Sequence, residues 1–278
     1  MKIALNLALT VAALATVVSA LPTYSKEPLK KRDEHWTYGQ NRRGPQHWGT
    51  LDPKYGTCGK GQRQSPIDIA VGAPDVKLQN AEFSKLHYPD LQNVLCGYNG
   101  HAVECKWNTT ESTVENSITI KNKKYNLKSF HFHTPSEHRV DDHFYEAELH
   151  LVHQSDTPDK ALAVIGVLLE VSTEENPFFN WIPDLAKKIT DKSKSGKEKV
   201  KHTVEKIDFK ALRKDTGNFT PRWEYEGSLT TPPCTEGVAW NVVKTPVSLG
   251  LKQYKALAGL ESFNSRFIQD RQKKNGDH

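Results

Sequence analysis

The sequence predicts a mainly β fold: a single, mainly antiparallel β domain with a few peripheral helices. Short runs rich in β-branched and aromatic residues recur along the chain, and Gly, Pro, Asn and Asp separate them. Helical periodicity is confined to a few stretches. No internal repeat and no linker divides the 278 residues, so one sheet-based domain is the simplest architecture.

The predicted strands are runs of alternating or continuous apolar residues between turn residues. The predicted helices have apolar residues at helical spacing, and the last one follows Ser248, a residue type that caps helices well. The predicted strands span residues 67–71, 103–107, 117–120, 125–133, 144–153, 161–171, 223–229 and 238–244. Helices are predicted at residues 182–189, within 197–212 and at 249–258.

The N-terminus has the pattern of a targeting segment. Residues 1–20 are a predicted signal peptide, because a basic start precedes a short apolar run and a small-residue cleavage pattern. The run is shorter than a spanning helix requires, with an uncleaved anchor as the alternative. Residues 21–32 are a predicted propeptide that ends in Lys30-Lys31-Arg32, a dibasic processing site, which leaves residues 33–278 as the predicted domain of a secreted, extracellular protein.

Four cysteines indicate an oxidising compartment and hence disulfide bonds. Cys96 and Cys105 flank Asn99-Gly100, a strong hairpin signal, so they can lie on neighbouring strands and pair. This leaves Cys58 to pair with Cys234. The absence of a C-x-x-C pair disfavours a zinc ribbon.

Glycosylation signals and charge agree with secretion. Asn108 and Asn218 lie in Asn-x-Thr sequons, which are typical of surface loops in secreted proteins. The formal charge of +5 falls to +1 for residues 33–278, which carry 33 basic and 32 acidic side chains. The lysine-rich stretch 187–206 is interrupted by acids and has no interleaved aromatic residues. The sequence therefore predicts neither a nucleic-acid partner nor a membrane span, and it leaves the oligomeric state open.

Two segments place histidines at strand positions that share a face. His131 and His133 alternate with phenylalanines, so both imidazoles point to one side of a strand. Glu148 and His150 share a face of another predicted strand. If the two strands are antiparallel neighbours, His150 completes a set of three nitrogens. Three imidazoles with an open fourth position are typical of catalytic zinc sites, because structural sites fill all four positions.

The chain resembles the α-class carbonic anhydrases, and the resemblance runs from about Trp36 to Arg271. The matching stretches follow the order of that family, which makes the resemblance specific. They are Gly44-Pro45-Gln46-His47-Trp48, Gln64-Ser65-Pro66-Ile67-Asp68-Ile69, Asn99-Gly100-His101, Phe130-His131-Phe132-His133, Ser136-Glu137-His138, Glu148-Leu149-His150-Leu151-Val152-His153 and Gly227-Ser228-Leu229-Thr230-Thr231-Pro232-Pro233-Cys234.

The resemblance implies a twisted, mostly antiparallel sheet of about ten strands with zinc at the base of a conical cleft. It implies a lyase that reversibly hydrates carbon dioxide to bicarbonate and a proton through zinc-bound hydroxide. By matching positions, Zn²⁺ is held by His131, His133 and His150, whereas His153 is structural. Glu148 is implied to accept the N–H of His150 and to hold its tautomer.

Further side chains are implied to assist the reaction. Glu137 is implied to accept a hydrogen bond from the Thr230 hydroxyl, which in turn orients the hydroxide. His101 is the implied proton shuttle, and Tyr38 is implied to order the relay waters. The implied substrate site consists of the apolar wall Val152, Val164, Leu229 and Trp240 together with Thr230 and Thr231.

Three positions depart from the common pattern of the family. Ser129 stands where many members have a glutamine, which leaves the partner of His131 open. Glu104 replaces an amide at the rim and adds negative charge near His101. The segment 264–269 lacks the usual proline.

Two other protein classes are alternatives. A cupin-type metalloenzyme also uses His-x-His followed by Glu, which His131, His133 and Glu137 satisfy, but its flanking glycines and its second motif are absent. A non-catalytic carbonic anhydrase-like binding module typically lacks ligand histidines, whereas this chain retains all three.

Overall fold

An eleven-stranded sheet dominates the fold. The computed structural model describes residues 36–70, 73, 75–107, 115–193 and 201–270, with residues 191–193 as backbone only. All of these residues belong to the unit His35–His278. The predicted signal peptide, the predicted propeptide and the sequon at Asn108 lie outside the described residues.

The described part of the chain forms thirteen strands, numbered in chain order. They are β1 (Asp68–Ile69), β2 (Lys77–Gln79), β3 (Leu86–His87), β4 (Leu91–Tyr98), β5 (Val103–Lys106), β6 (Ser117–Ile120), β7 (Lys123–His133), β8 (Arg139–Val140), β9 (Ala147–Ser155), β10 (Leu162–Ser172), β11 (Lys201–Ile207), β12 (Arg222–Ser228) and β13 (Glu236–Gly250).

The strands follow the order β11-β4-β5-β7-β9-β10-β13-β12-β2 across the large sheet, and β6 pairs with both β7 and β3. Within this sheet the pairs are antiparallel except for β10 with β13. A separate two-stranded parallel sheet joins β1 to β8. The prediction of a mainly β, mostly antiparallel fold is confirmed.

Five short α-helices and three 3₁₀ turns surround the sheet in the described residues. The helices are α1 (Trp48–Leu51), α2 (Thr57–Lys60), α3 (Ile182–Ser193), α4 (Phe209–Asp215) and α5 (Leu251–Leu260), and the 3₁₀ turns are Pro45–His47, Pro53–Tyr55 and Pro177–Phe179. Within the described ranges, no helix has the length and apolar character that crossing a bilayer would require.

The central strands direct alternate side chains to opposite sides of the sheet. Phe130 and Phe132 of β7 and Leu149 and Leu151 of β9 are fully buried in the larger apolar cluster. Burying each such side chain contributes about 1.5–3 kcal/mol. Because strand side chains alternate, this packing places the intervening histidines of β7 and β9 on the opposite face.

The helix predicted as a stretch within residues 197–212 forms only at the end of that range, and residues Lys201–Ile207 are not helical. These residues form β11, which pairs with β4, and a helix forms only from Phe209 to Asp215. The half-buried side chains of His202 and Val204 alternate with exposed neighbours, which is the period of a strand. Pairing with β4 therefore outweighs the helical appearance of this lysine-rich stretch.

Other element boundaries also differ from the predicted ones. β4 is not among the predicted strands. Its buried and exposed positions follow no regular alternation, and Asn93 has a positive φ of 53°. β9 begins at Ala147 rather than at residue 144. α5 begins after Gly250, and Ser248 lies within β13 instead of capping the helix.

Both predicted disulfides are present. Cys96 and Cys105 face each other across β4 and β5, with Cα atoms 4.1 Å apart. Cys58 of α2 is joined to Cys234, which follows β12, across a sequence separation of 176 residues. The described residues contain no free cysteine.

Candidate metal centre

Three imidazoles from β7 and β9 converge on one point. His131 and His133 lie two residues apart on β7, and His131 is directly opposite His150 on β9. Each of the three offers one nitrogen, and these nitrogens lie within 4.8 Å of one another. The strand register therefore brings the predicted set together.

Protein partners determine which nitrogen of two imidazoles remains free. Nδ1 of His133 lies 2.8 Å from the carbonyl oxygen of Asn264, so Nδ1 carries the proton, and the buried Nε2 has no hydrogen-bond partner. Nε2 of His150 lies 2.9 Å from Oε1 of Glu148, which leaves Nδ1 of His150 for another ligand. Each lone pair is thus directed away from its protein partner.

The environment favours the neutral imidazoles that metal binding requires. Burial lowers the pKa of His133 to about 4 despite its bond to Asn264. Burial, followed by the neighbouring imidazoles, lowers the pKa of His131 well below its usual value. The pKa of His150 is also lowered, because burial outweighs the opposing effect of Glu148.

Glu148 accepts four hydrogen bonds within the protein core. Its Oε1 lies 2.7 Å from Nδ1 of His138 and 2.9 Å from Nε2 of His150. Its Oε2 accepts the backbone N–H groups of Glu137 and His138 at 2.9 and 2.8 Å. Burial alone would raise the pKa of Glu148, but the two imidazoles outweigh it and hold the pKa well below its usual value.

A buried chain of hydrogen bonds extends from Glu148 away from the three imidazoles. Because the Glu148 carboxylate can only accept, His138 donates through Nδ1, and its Nε2 then accepts the Tyr225 hydroxyl at 2.6 Å. The Tyr225 oxygen lies 2.9 Å from Oγ of Ser65, which accepts the backbone N–H of Ser228 at 3.0 Å. Every donor in this chain is oriented toward Glu148.

Glu137 faces the free nitrogens of the imidazole set. Its Oε2 lies 3.4 Å from Nε2 of His133 and 4.0 Å from Nδ1 of His150. Its Oε1 accepts the backbone N–H of Arg266 at 2.9 Å, and the Thr230 hydroxyl interacts with the carboxyl group. Burial raises the pKa of Glu137 to about 7, although His150, Thr230 and Arg266 oppose this shift.

An apolar wall stands beside the imidazoles. Val152 of β9 pairs with Val164 of β10, and Val164 pairs with Trp240 of β13, so the three form one row across the sheet. Leu229 packs against the same apolar cluster, and the Trp240 ring lies 4.9 Å from the His150 ring. The structure therefore brings the four predicted wall residues together, and Thr231 follows in the turn closed by its carbonyl and the Cys234 N–H.

His101 lies in the turn between β4 and β5. Its ring stacks on Trp36 with centroids 3.7 Å apart, and the Tyr38 ring centroid is 6.4 Å away. The backbone of this turn is tied down by Asn99, which accepts the His101 N–H, and by Asn264, which donates to the His101 carbonyl. The Tyr38 ring also lies 6.4 Å from the His133 ring, between the turn and the metal-site face.

The structure also shows where the residues that differ from the family pattern lie. Glu104 pairs with His131 across β5 and β7, and its carboxylate contacts Lys106 at 2.9 Å. Ser129 lies two residues before His131 on β7, paired with Val152. His153 is fully buried and hydrogen-bonded to the Tyr88 hydroxyl, apart from the three-imidazole set.

Asn218, the described sequon asparagine, lies after α4 in a backbone conformation with a φ of 58°. It is half-buried, and its side-chain amide donates to Glu82 at 3.2 Å.

Four residues that hold the site have no individual role in the sequence prediction: His138, Tyr225, Asn264 and Arg266. His138 directly follows Glu137 in a matching stretch, so its place there is a signal that could have identified it. Asn264 and Arg266 lie in a segment that the family pattern marks, without any indication of what they contact. Tyr225 lies in an ordinary strand pattern and gives no local signal.

The side chains present fit a zinc ion. Zn²⁺ prefers imidazole nitrogens in tetrahedral sites, and catalytic sites supply three protein ligands. The buried, unpartnered Nε2 of His133 is an atom that such an ion would satisfy. The hydrogen bond from His150 to Glu148 is the carboxylate–histidine arrangement that orients metal ligands.

Comparison with known proteins gives a consistent family match. The family model described as eukaryotic-type carbonic anhydrase matches residues 43–275. A curated relative, the carbonic anhydrase of Klebsiella pneumoniae, is 35% identical over 257 residues, which are 90% of this chain and 94% of that protein.

Solved structures with the same fold include one protein named as a carbonic anhydrase and one with a different name. The fungal α-carbonic anhydrase of Aspergillus oryzae is 30% identical with a TM-score of 0.72, over 84% of this chain and 93% of that one. Dioscorin, solved in complex with ascorbate, is 27% identical with the same TM-score, over 85% and 94%. The fold is therefore shared by proteins with different names, and the side chains of the site must carry the functional argument.

Proposed function

We propose, from the premise that this chain belongs to the eukaryotic-type carbonic anhydrase family and is an enzyme of that family, that it reversibly hydrates carbon dioxide at a zinc ion. The ligands would be His131, His133 and His150. One observation carries the proposal: three largely neutral imidazoles converge from two paired strands, with their free nitrogens within 4.8 Å of one another. When bound, zinc would lower the pKa of a water to about 7 and so make hydroxide available near neutral pH.

The polar residues beside the imidazoles would orient the nucleophile. An ionised Glu137 can only accept, so the Thr230 hydroxyl donates to it and turns its own lone pair toward the attacking oxygen. A cation at the three imidazoles would favour ionised Glu137. The backbone N–H of Thr230 would then meet the oxygen that becomes negative as bicarbonate forms.

The apolar wall would hold carbon dioxide next to that oxygen. Val164 and Trp240 are nearly fully buried, and Val152 and Leu229 pack against the same cluster. Such a surface offers no hydrogen bond to the product, so charged bicarbonate would be held less well there than the apolar substrate.

Proton release would follow a separate route. An imidazole titrates near neutral pH and can pass protons through ordered water. His101 is the candidate because it lies in a half-buried turn beside Trp36 and Tyr38, and Tyr38 in turn lies near His133.

We also propose secretion and maturation. The two disulfides are typical of proteins from oxidising compartments. Cleavage of the signal peptide 1–20 and of the propeptide 21–32 would leave a mature domain from residue 33 to residue 278. Asn108 and Asn218 would be its glycosylation sites.

The alternatives are not favoured. A non-catalytic module would have no reason to keep three convergent imidazoles supported by Glu148 and Asn264. A cupin-type site would use Glu137 as a ligand, but Glu137 is engaged by Thr230 and Arg266, and His150 supplies a third imidazole instead.

The test combines metal analysis with stopped-flow carbon dioxide hydration. We expect one zinc ion per purified chain and rapid hydration, and we expect His150→Ala to lose both because one of three ligands is removed. His87→Ala removes an exposed histidine of β3 and should retain both. A zinc-free wild-type protein, or an active His150→Ala variant, would refute the assignment.

A further inference from the structure

Gly166 occupies a position on β10 where a side chain would collide with the support of the metal centre. It pairs with His150 of β9 on one side and with Val242 of β13 on the other. A Cβ atom at Gly166 would lie 2.8 Å from Oε1 of Glu148 and 3.5 and 3.7 Å from side-chain atoms of Val242 and Trp240. A contact of 2.8 Å is closer than real Cβ atoms come to their neighbours, so an atom would have to move.

Glu148 is not free to move away. A carboxylate at the end of a flexible side chain can usually retreat, but this one is fully buried and accepts four hydrogen bonds. Retreat from Gly166 would stretch the bonds from His138 and His150 to Oε1. Val242 and Trp240 are themselves buried, which leaves little room for a shift of the backbone toward β13.

The backbone conformation does not explain the glycine. The described glycines with positive φ are Gly100, Gly217 and Gly237, and Gly166 is not one of them. A glycine inside a strand costs stability relative to other residues, and β10 otherwise consists mainly of buried apolar side chains around this point. What Gly166 provides is space rather than an unusual φ.

We propose that Gly166 is a positioning residue of the metal centre. The missing Cβ leaves the volume that the Glu148 carboxylate occupies behind His150, and this holds the His150 ring in the orientation that presents Nδ1 to the metal. The inference rests on the proposed zinc site, and it adds a residue that contacts neither metal nor substrate.

The test is Gly166→Ala, with zinc affinity measured by competition against a chelator. Loss of a supporting partner typically weakens metal binding by about 10- to 100-fold, and we expect a change of this size. The absorption spectrum of the Co²⁺-substituted protein should also change, because it reports ligand orientation. The matched control is Gly259→Ala in α5, where an added Cβ meets no atom within 4 Å, and it should bind zinc as the wild type does.

Repeating the substitution in the Glu148→Ala variant distinguishes a positioning role of Gly166 from a general packing defect. In Glu148→Ala the colliding carboxylate is gone, so adding Gly166→Ala should leave the zinc affinity of that variant unchanged. If the Gly166→Ala variant does not fold, the double variant with Gly166→Ala and Glu148→Ala should fold as well as the Glu148→Ala single variant. The proposal is overturned if Gly166→Ala binds zinc like the wild type, or if it impairs binding or folding equally in both backgrounds. Absence of zinc from the wild-type protein would instead overturn the proposed function.

Discussion

Two buried carboxyl groups beside the imidazoles have opposite pKa shifts, and the side chains around each one explain the difference. Glu148 accepts four hydrogen bonds, and a hydrogen bond to a charged group contributes about 1.5–3 kcal/mol. Burial raises the pKa of Glu148, but the attraction of His138 and His150 and their hydrogen bonds outweigh burial and hold this pKa well below its usual value. Glu137 has fewer donors, the Arg266 N–H and the Thr230 hydroxyl, so burial dominates and raises its pKa to about 7. Two adjacent imidazoles thus lower the pKa of Glu148, whereas burial raises that of Glu137.

His153 leads to a prediction about acid stability. Burial lowers its pKa from 6.5 to about 3, so between these values the unfolded chain binds a proton that the folded chain does not. Stability therefore falls as the pH decreases through this window, by about 1 kcal/mol per pH unit from this residue. We expect His153→Gln to show a shallower decline in the free energy of unfolding between pH 6 and pH 4, about 1 kcal/mol less per unit.

The measurement is urea unfolding of both proteins in excess chelator, so that metal release does not contribute to the slope. Above pH 7 neither residue binds a proton in either state, and the two slopes should coincide. Parallel curves between pH 4 and pH 6 would show that His153 does not stay neutral in the folded protein.

At the scale of elements, the register of four adjacent strands arranges the site. One row across β7, β9, β10 and β13 contains His131, His150, Gly166 and Val242. The next row on β9, β10 and β13 contains three residues of the apolar wall, Val152, Val164 and Trp240. A shift of one residue in β7 or β9 would turn the imidazoles of that strand toward the core, so the buried phenylalanines of β7 that hold the register also hold the site.

The turn between β4 and β5 leads to a prediction about proton transfer. We expect His101→Ala to lower turnover at low buffer concentration by on the order of 10-fold or more, because a positioned acid–base group is lost. The value of kcat/KM should change little, because His101→Ala leaves the apolar wall and the three imidazoles unchanged. Stopped-flow hydration with and without added imidazole measures this, and imidazole should restore the rate.

His87→Ala serves as the control for loss of a histidine that is exposed and lies on β3. Equal turnover of His101→Ala and wild type at low buffer would remove His101 from the proton route.

At the scale of the whole molecule, contacts between distant parts of the chain close the structure. The Arg266 guanidinium donates to the carbonyls of Cys58 and Ser65 and to the side chain of Gln64, more than 200 residues earlier. The disulfide from Cys58 to Cys234 joins the same N-terminal region to the turn that carries Thr230. Closure therefore positions a residue of the site as well as stabilising the fold.

Removal of each disulfide is expected to lower the free energy of unfolding by a different amount. In the chain-entropy model, the loop between Cys58 and Cys234 contributes about 5 kcal/mol, and the short loop between Cys96 and Cys105 about 3 kcal/mol. We expect replacement of Cys58 and Cys234 by serine to lower the free energy of unfolding more than the same change at Cys96 and Cys105. Urea unfolding of both double variants measures this, and a larger cost for the short loop would contradict the entropic account.

Much of the fold and of the site could be predicted from local patterns. Alternation of apolar and polar residues revealed most central strands, and the His-x-His spacing located two of the proposed ligands on one strand face. The pairing of Cys96 with Cys105 followed from the turn between them. Local patterns failed for β11, because its lysines and glutamates resemble a solvated helix and only the pairing with β4 makes it a strand.

The sequence by itself determined the strand faces, the residue types at the proposed metal centre and the pairing of the cysteines, because these depend on period, chemistry and nearby turns. Only the tertiary structure decided that the Asn264 carbonyl fixes the tautomer of His133, 131 residues away, and that Tyr225 supports Glu148 through His138. It also decided that Gly166 must leave room for a carboxylate. Such relations are distances between atoms remote in sequence, and no local periodicity carries them.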